Sequence, residues 1–236
     1  MQWVANEIAT RFGFRTLYNG TAAIVLALAA IFTVMVWRGS RAQIGPWLLT
    51  VALIVGAWAG LTGNNVELVH YPQYFPEGVA LAALTLSPVE ALSWVVFFGG
   101  LDEAYQFWLL PRTRVSLYDF NDIYMDLLGG AAGVIFAIAV FHLPLRRGWK
   151  RPGLILILSL ITIGFLLWAS GLMVVVADKT NPHYWFALGD FQAPSFWAHI
   201  NENGPKHYDT MTPIEGVILI LSTIGLYGAL TRRRAA

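Results

Sequence analysis

The sequence predicts an all-α protein: a polytopic transmembrane helix bundle of six or seven spans, one of them broken or re-entrant. Three observations carry that prediction. Hydrophobic residues make up 57% of the chain and charged residues only 12%, where soluble domains carry about a quarter charged. Mean hydropathy is +0.58. The apolar residues also fall in runs near the ~20 that a bilayer requires, with short polar connections between them.

The runs follow in order. Trp3, Val4, Ile8 and Phe12 recur at helical spacing around Glu7 and Arg11, the pattern of a short interfacial helix. The N-terminus has no basic region leading into a short apolar core, so no cleaved signal peptide is expected. Tyr18 to Trp37 is the first span and stops at Arg38. Ile44 to Thr62 is the second, entered through Gly45-Pro46 and carrying the small residues Gly56 and Gly60 that permit close helix packing. Val66 to Leu86 contains Glu67, His70, Pro72, Pro76 and Glu77. It reads as a broken span or a re-entrant segment, tolerable only where protein or water satisfies the freed backbone groups. Pro88 to Leu110, Asp122 to Leu143, Leu154 to Val176 and Pro213 to Leu230 complete the set. Three regions result: residues 1–43 (interfacial helix and first span), a helical core at 44–143, and 144–236, two spans joined by an aromatic-rich loop at 177–212.

Basic residues orient the bundle. The loop with Arg146, Arg147, Lys150 and Arg151 and the tail Arg232-Arg233-Arg234 must share a side, because two spans separate them, and the positive-inside rule makes that side cytoplasmic. The 177–212 loop and the Arg112–Asp119 loop then lie outside. Nine of the fifteen basic residues fall inside whether the Val66–Leu86 segment crosses or not, so charge does not choose between six and seven spans. Seven spans gather His70 with Arg112, Arg114 and Asp119 on one face, and that count is the expected one.

Composition also excludes. A net charge of +1 offers no basic stripe to neutralise phosphates, so no nucleic-acid partner is expected. With no cysteine there are no disulfides, thiolate metal sites or cysteine nucleophiles. His183, His199 and His207 in the long loop are spaced too widely for a compact ligand motif, and no metal or other cofactor is expected.

The chemistry concentrates between Leu101 and Val134. Asp102, Glu103, Asp119, Asp122 and Asp126 stand with Arg112 and Arg114 between apolar runs. Ionisable groups near membrane depth are costly and normally face a bundle interior or a wet cavity. Glu103 and Gln106 share a helix face. So do Asp122, Asp126, Gly129 and Gly133, a face that is carboxylate at its outer end and small further in. The simplest assembly packs the Glu103/Gln106 face into the glycine seam, with the loop arginines returning over the outer carboxylates. Five carboxylates against two arginines favour a site that holds a proton, a cation or a cationic ligand group. The competing reading is a self-satisfied network that only orients helices.

This ordered series resembles the VanZ-like family of bacterial integral membrane proteins over about residues 44–141. The matching residues are Glu103-Ala-Tyr-Gln106, Arg112-Thr-Arg114, Asp119-Phe-Asn-Asp122, then Asp122 through Asp126 to Gly129 and Gly133. His70, Tyr71 and Tyr74 match an upstream histidine–aromatic motif. Val66-Glu67 stands where the family tends to have Asp-Lys, and Asp126 where asparagine is common. The resemblance implies a bacterial inner-membrane, cell-envelope protein and no particular reaction.

The reading that results is a non-catalytic membrane protein. Its outward-facing pocket of His70, Glu103, Gln106, Arg112, Arg114, Asp119, Asp122 and Asp126 takes a headgroup, glycan or peptide-like envelope ligand. Gly129 and Gly133 serve helix packing. An accessory subunit that docks on other membrane proteins through Pro182–Trp197 is the alternative. An enzyme using paired carboxylates on an envelope lipid stands third.

Overall fold

In the computed structural model the described residues are 14–62, 65–109, 120–146, 152–170, 211 and 213–232. All regular structure among them is helical. We number the helices α1 (Phe14–Gly39), α2 (Ile44–Gly60), α3 (His70–Thr85), α4 (Pro88–Leu109), α5 (Phe120–Phe141), α6 (Pro152–Ala169) and α7 (Pro213–Arg232). Short 3-10 segments, Arg41–Gln43 and Asn65–Val69, lead into α2 and α3. The interfacial helix expected at residues 3–12 and the 177–212 loop, apart from Met211, lie outside the described residues.

Among the described residues, four helices are long and apolar enough to cross a membrane: Asn19–Gly39, Arg41–Gly60, Phe120–Phe141 and Ile214–Thr231. Helix α4 is as long but carries Glu90, Asp102 and Glu103, and α3 has 16 residues with Glu77 among them. Polar and charged residues set α4 apart from the four, and its shorter length sets α3 apart.

Helix α5 is the hub. Beyond its first two turns it is apolar on every side, and such a helix must be enclosed. Over its span 94% is buried, against 6% for α1. Helices α1 to α4 and α7 all pack on it, and α6 lies outside against α4. Small residues set the closest crossing, that of α3 with α5. A Cβ on Gly129 would come within 2.7 Å of the Tyr71 carbonyl, one on Gly133 would strike the carbonyl of Phe75, and one on Gly78 would strike that of Gly130. The two backbones approach closely only because these Cβ atoms are missing. Stacked Phe32 and Phe75, 4.5 Å between centroids, both meet Phe136 edge-on at 5.2 Å and bind α1, α3 and α5 together.

This corrects the packing expected from sequence. The glycine seam receives α3, not the Glu103 face of α4. Helix α4 meets α5 a little to the side, where Gly99 faces Asp126 and Val95 fills the space beside Gly130. The reason is steric: Val95, Val96 and Glu103 need room, whereas α3 brings Gly78 to meet glycine with glycine.

Within the segment expected to be broken or re-entrant, residues 70–85 form one helix behind the 3-10 segment Asn65–Val69. Helix α3 runs from His70 to Thr85 through Pro76. It lies parallel to α5, with Tyr71 at Gly129 and Phe75 at Gly133. At the far end Leu86 adopts the left-handed conformation (φ 53°) that caps α3, its N–H returning to the Ala82 carbonyl at 2.9 Å. Its own carbonyl accepts from the Arg146 N–H at 2.8 Å, beyond the end of α5. Pro88 then opens α4, at a position where a missing N–H loses nothing.

Polar ties fix the remaining helices. Trp47 Nε1 donates to Thr33 Oγ1 at 2.7 Å, joining α1 to α2, and Thr50 and Tyr227 share a 2.6 Å bond between α2 and α7.

Candidate functional site

Position in the bundle brings the acids to one place. His70 opens α3, Asp122 and Asp126 occupy the first two turns of α5, and Asp102 and Glu103 fall in the later part of α4. Helices α3 and α5 run parallel with their starts together, and α4 runs against them, so its end meets their beginnings.

Asp126 is fully buried and Glu103 is 2% exposed. His70 Nδ1 lies 2.8 Å from Asp126 Oδ1, and Nε2 lies 3.6 Å from Asp122 Oδ2. With Asp126 ionised, its oxygen only accepts, and Nδ1 then carries the proton and donates it. A second proton on Nε2 would face Asp122 and make His70 a cation held between two acids. Glu103 interacts electrostatically with the same imidazole.

Asp126 has a second oxygen, Oδ2. It is buried, closes no hydrogen bond among the described residues, and lies where a Cβ on Gly99 would touch it at 2.8 Å. Besides His70, the Tyr74 hydroxyl is turned toward this carboxylate. Asp102 and Glu77 are within electrostatic range of it, and Glu77 Oε1 is likewise buried without a hydrogen bond among the described residues. Three carboxyl groups (Glu103, Asp122, Asp126) thus act on one imidazole, and Glu77 and Asp102 act on Asp126. Removing an ionised carboxylate from water costs several kcal/mol unless it is paired and hydrogen-bonded. His70 meets that need for one oxygen of Asp126. The arrangement suits a proton, a cation or a cationic group. No group of three or more histidine and acidic side chains among the described residues has the geometry to hold a metal ion.

Of the residues expected at the site, His70, Glu103, Asp122 and Asp126 come together. Gly129 and Gly133 hold the crossing that brings His70 to Asp126. Gln106 lies on α4 with its side chain outside the described set, and Arg112, Arg114 and Asp119 lie outside the described residues. Two participants were missed. Tyr74 and Glu77 sit four and seven residues after His70, one helical face of α3, and that spacing was a readable signal once the segment was accepted as a helix. Asn121 is a different omission. It is 1% exposed; its Nδ2 donates to the Leu61 carbonyl at 2.9 Å and its Oδ1 accepts from the Met211 N–H at 2.9 Å. It ties the end of α2 and the approach to α7 to the start of α5, beside the acids. Nothing local in the sequence marks such a role.

Comparisons of the chain with protein-family models, with curated proteins and with solved structures return no match.

Proposed function

We propose that this chain is a bacterial inner-membrane protein, akin to the VanZ-like family, that binds the cationic part of a cell-envelope ligand in its acid–histidine pocket without covalent chemistry. One observation carries the reading. The buried His70–Asp126 pair leaves Asp126 Oδ2 without a closed hydrogen bond among the described residues, with the Tyr74 hydroxyl turned toward the carboxylate. A protein built only to orient its helices would close that oxygen with a hydrogen bond. An ammonium or guanidinium group supplies the missing donors and charge together.

Seven spans with a cytoplasmic C-terminus place the pocket at the outer face. The parallel course of α3 and α5 supports a crossing third segment. At ~1.5 Å per residue α3 covers roughly 24 Å, and Asn65–Val69 extends it toward the ~30 Å of a hydrocarbon core.

The test is purification from native membranes in mild detergent, with mass spectrometry of whatever co-migrates, for wild type and Asp126→Asn. A lone chain with a stoichiometric amine-bearing lipid, glycan or peptide, lost in the variant, is the expected result. A stoichiometric set of larger membrane proteins, unaffected by Asp126→Asn, overturns the reading and makes the chain an accessory subunit.

A further inference from the structure

His70 is placed to do more than hold Asp126. Asp122 and Asp126 are four residues apart on α5 and share a face, and the His70 imidazole on α3 lies across both. Nδ1 is 2.8 Å from Asp126 Oδ1, and Nε2 is 3.6 Å from Asp122 Oδ2. Side-chain exposure falls along this line, from 20% at Asp122 through 12% at His70 to 1% at Asp126. The three groups lead from the start of α5 into the bundle, and each can take up and release a proton.

The inner end of the line can keep one. Asp126 Oδ2 is buried and closes no hydrogen bond among the described residues. It lies against α4, where a Cβ on Gly99 would come within 2.8 Å of it. The titratable groups that act on Asp126 or His70 are Tyr74 and Glu77 from α3, Asp102 and Glu103 from α4, and Asp122 from α5 itself. A proton on Asp126 removes its charge from this acidic neighbourhood and needs no cavity, so complete burial does not bar it.

Imidazole suits the middle position because its two nitrogens face opposite ways. It accepts a proton at Nε2 from Asp122 and becomes a cation between carboxylates. It then releases the proton on Nδ1 to Asp126 Oδ1. Asp122 is left ionised, Asp126 neutral and His70 neutral as the other tautomer, and no further reactant is required. The 3.6 Å gap to Asp122 exceeds a hydrogen bond, so that step runs through one water or a small side-chain rotation.

We infer that Asp122, His70 and Asp126 form a proton relay, which exchanges protons between the end of the bundle and the buried Asp126 carboxyl through the His70 imidazole. The relay goes beyond the ligand proposed above and does not depend on it.

The test is time-resolved infrared spectroscopy of the purified full chain, with no ligand added, on transfer from H2O to D2O. Wild type should show a carboxylic-acid C=O band that Asp126→Asn removes, and that band should shift as its proton is replaced by deuterium. His70→Asn leaves an N–H donor near the place of Nδ1, but an amide does not relay protons. The band should therefore remain in His70→Asn, and its shift should slow by about a hundredfold or more. A bundle merely loosened by the substitution would exchange faster, so slowing separates relay from structural support. Absence of the Asp126 band at every pH where the protein stays folded overturns the inference. So does a shift in His70→Asn that is as fast as in wild type or faster. Should His70→Asn fail to assemble, Asp122→Asn decides by the same measure: a slowed shift upholds the relay and an unchanged or faster one overturns it. Co-purification tests the ligand reading separately.

Discussion

His70 and Asp126 are each costly without the other. Replacing one member of a buried pair strands the other, at about 3–5 kcal/mol, so His70→Ala should destabilise the protein by roughly that amount. Adding Asp126→Ala to His70→Ala should recover part of the loss, because the stranded charge is then gone. Unfolding of the single and double variants in detergent, analysed as a double-mutant cycle, checks both statements; additive losses would mean the two residues do not act as a pair. Asn121 makes a separate prediction. Asn121→Ala leaves the Leu61 carbonyl and the Met211 N–H without their partner, at about 1–3 kcal/mol for each buried group. Asn121→Asp keeps the acceptor for Met211 and loses the donor to Leu61, so its loss in the same assay should be felt first at the end of α2.

At the scale of the helix, the glycines divide into two kinds. Gly129 and Gly133 meet the α3 backbone, while Gly56 and Gly60 on α2 have nothing within 4 Å. Gly133→Ala should therefore force α3 away from α5 and cost about 1–3 kcal/mol, the usual range for overpacking. Gly56→Ala should be neutral or slightly stabilising, since alanine is the better helix former. Comparing the two variants by thermal unfolding separates packing from propensity: equal effects would refute the crossing. Because the α3–α5 crossing positions His70, Gly133→Ala should also weaken retention of whatever ligand co-purifies with the acid–histidine pocket, whereas Gly56→Ala should leave it unchanged.

For the whole molecule, the prediction concerns which ends share a side. The chain has no cysteine, so single introduced cysteines report topology without background. Asn65 precedes α3, and Arg146 lies by the opposite end, beside Leu86. Asn65→Cys should react with a membrane-impermeant maleimide in intact cells. Arg146→Cys should react only after permeabilisation. Reaction of both from the same side would restore the re-entrant segment and the six-span count.

The helical fold class was legible because it follows from composition and run length, which one-dimensional sequence contains in full. Bilayer thickness sets the span length, and the lack of water in the core requires each segment to satisfy its own backbone. The acids and His70 were likewise conspicuous, as charges among apolar residues. Tertiary structure alone decided which helix fills the glycine seam. Gly129 and Gly133 announce a close approach but do not name the partner, and α3 takes the place because Gly78 lets its backbone come nearer than the valines and glutamate of α4 allow. The same crossing made residues 70–85 one helix and drew Tyr74 and Glu77 to Asp126. Each of these depends on contacts between residues far apart in the chain, and local spacing does not encode them.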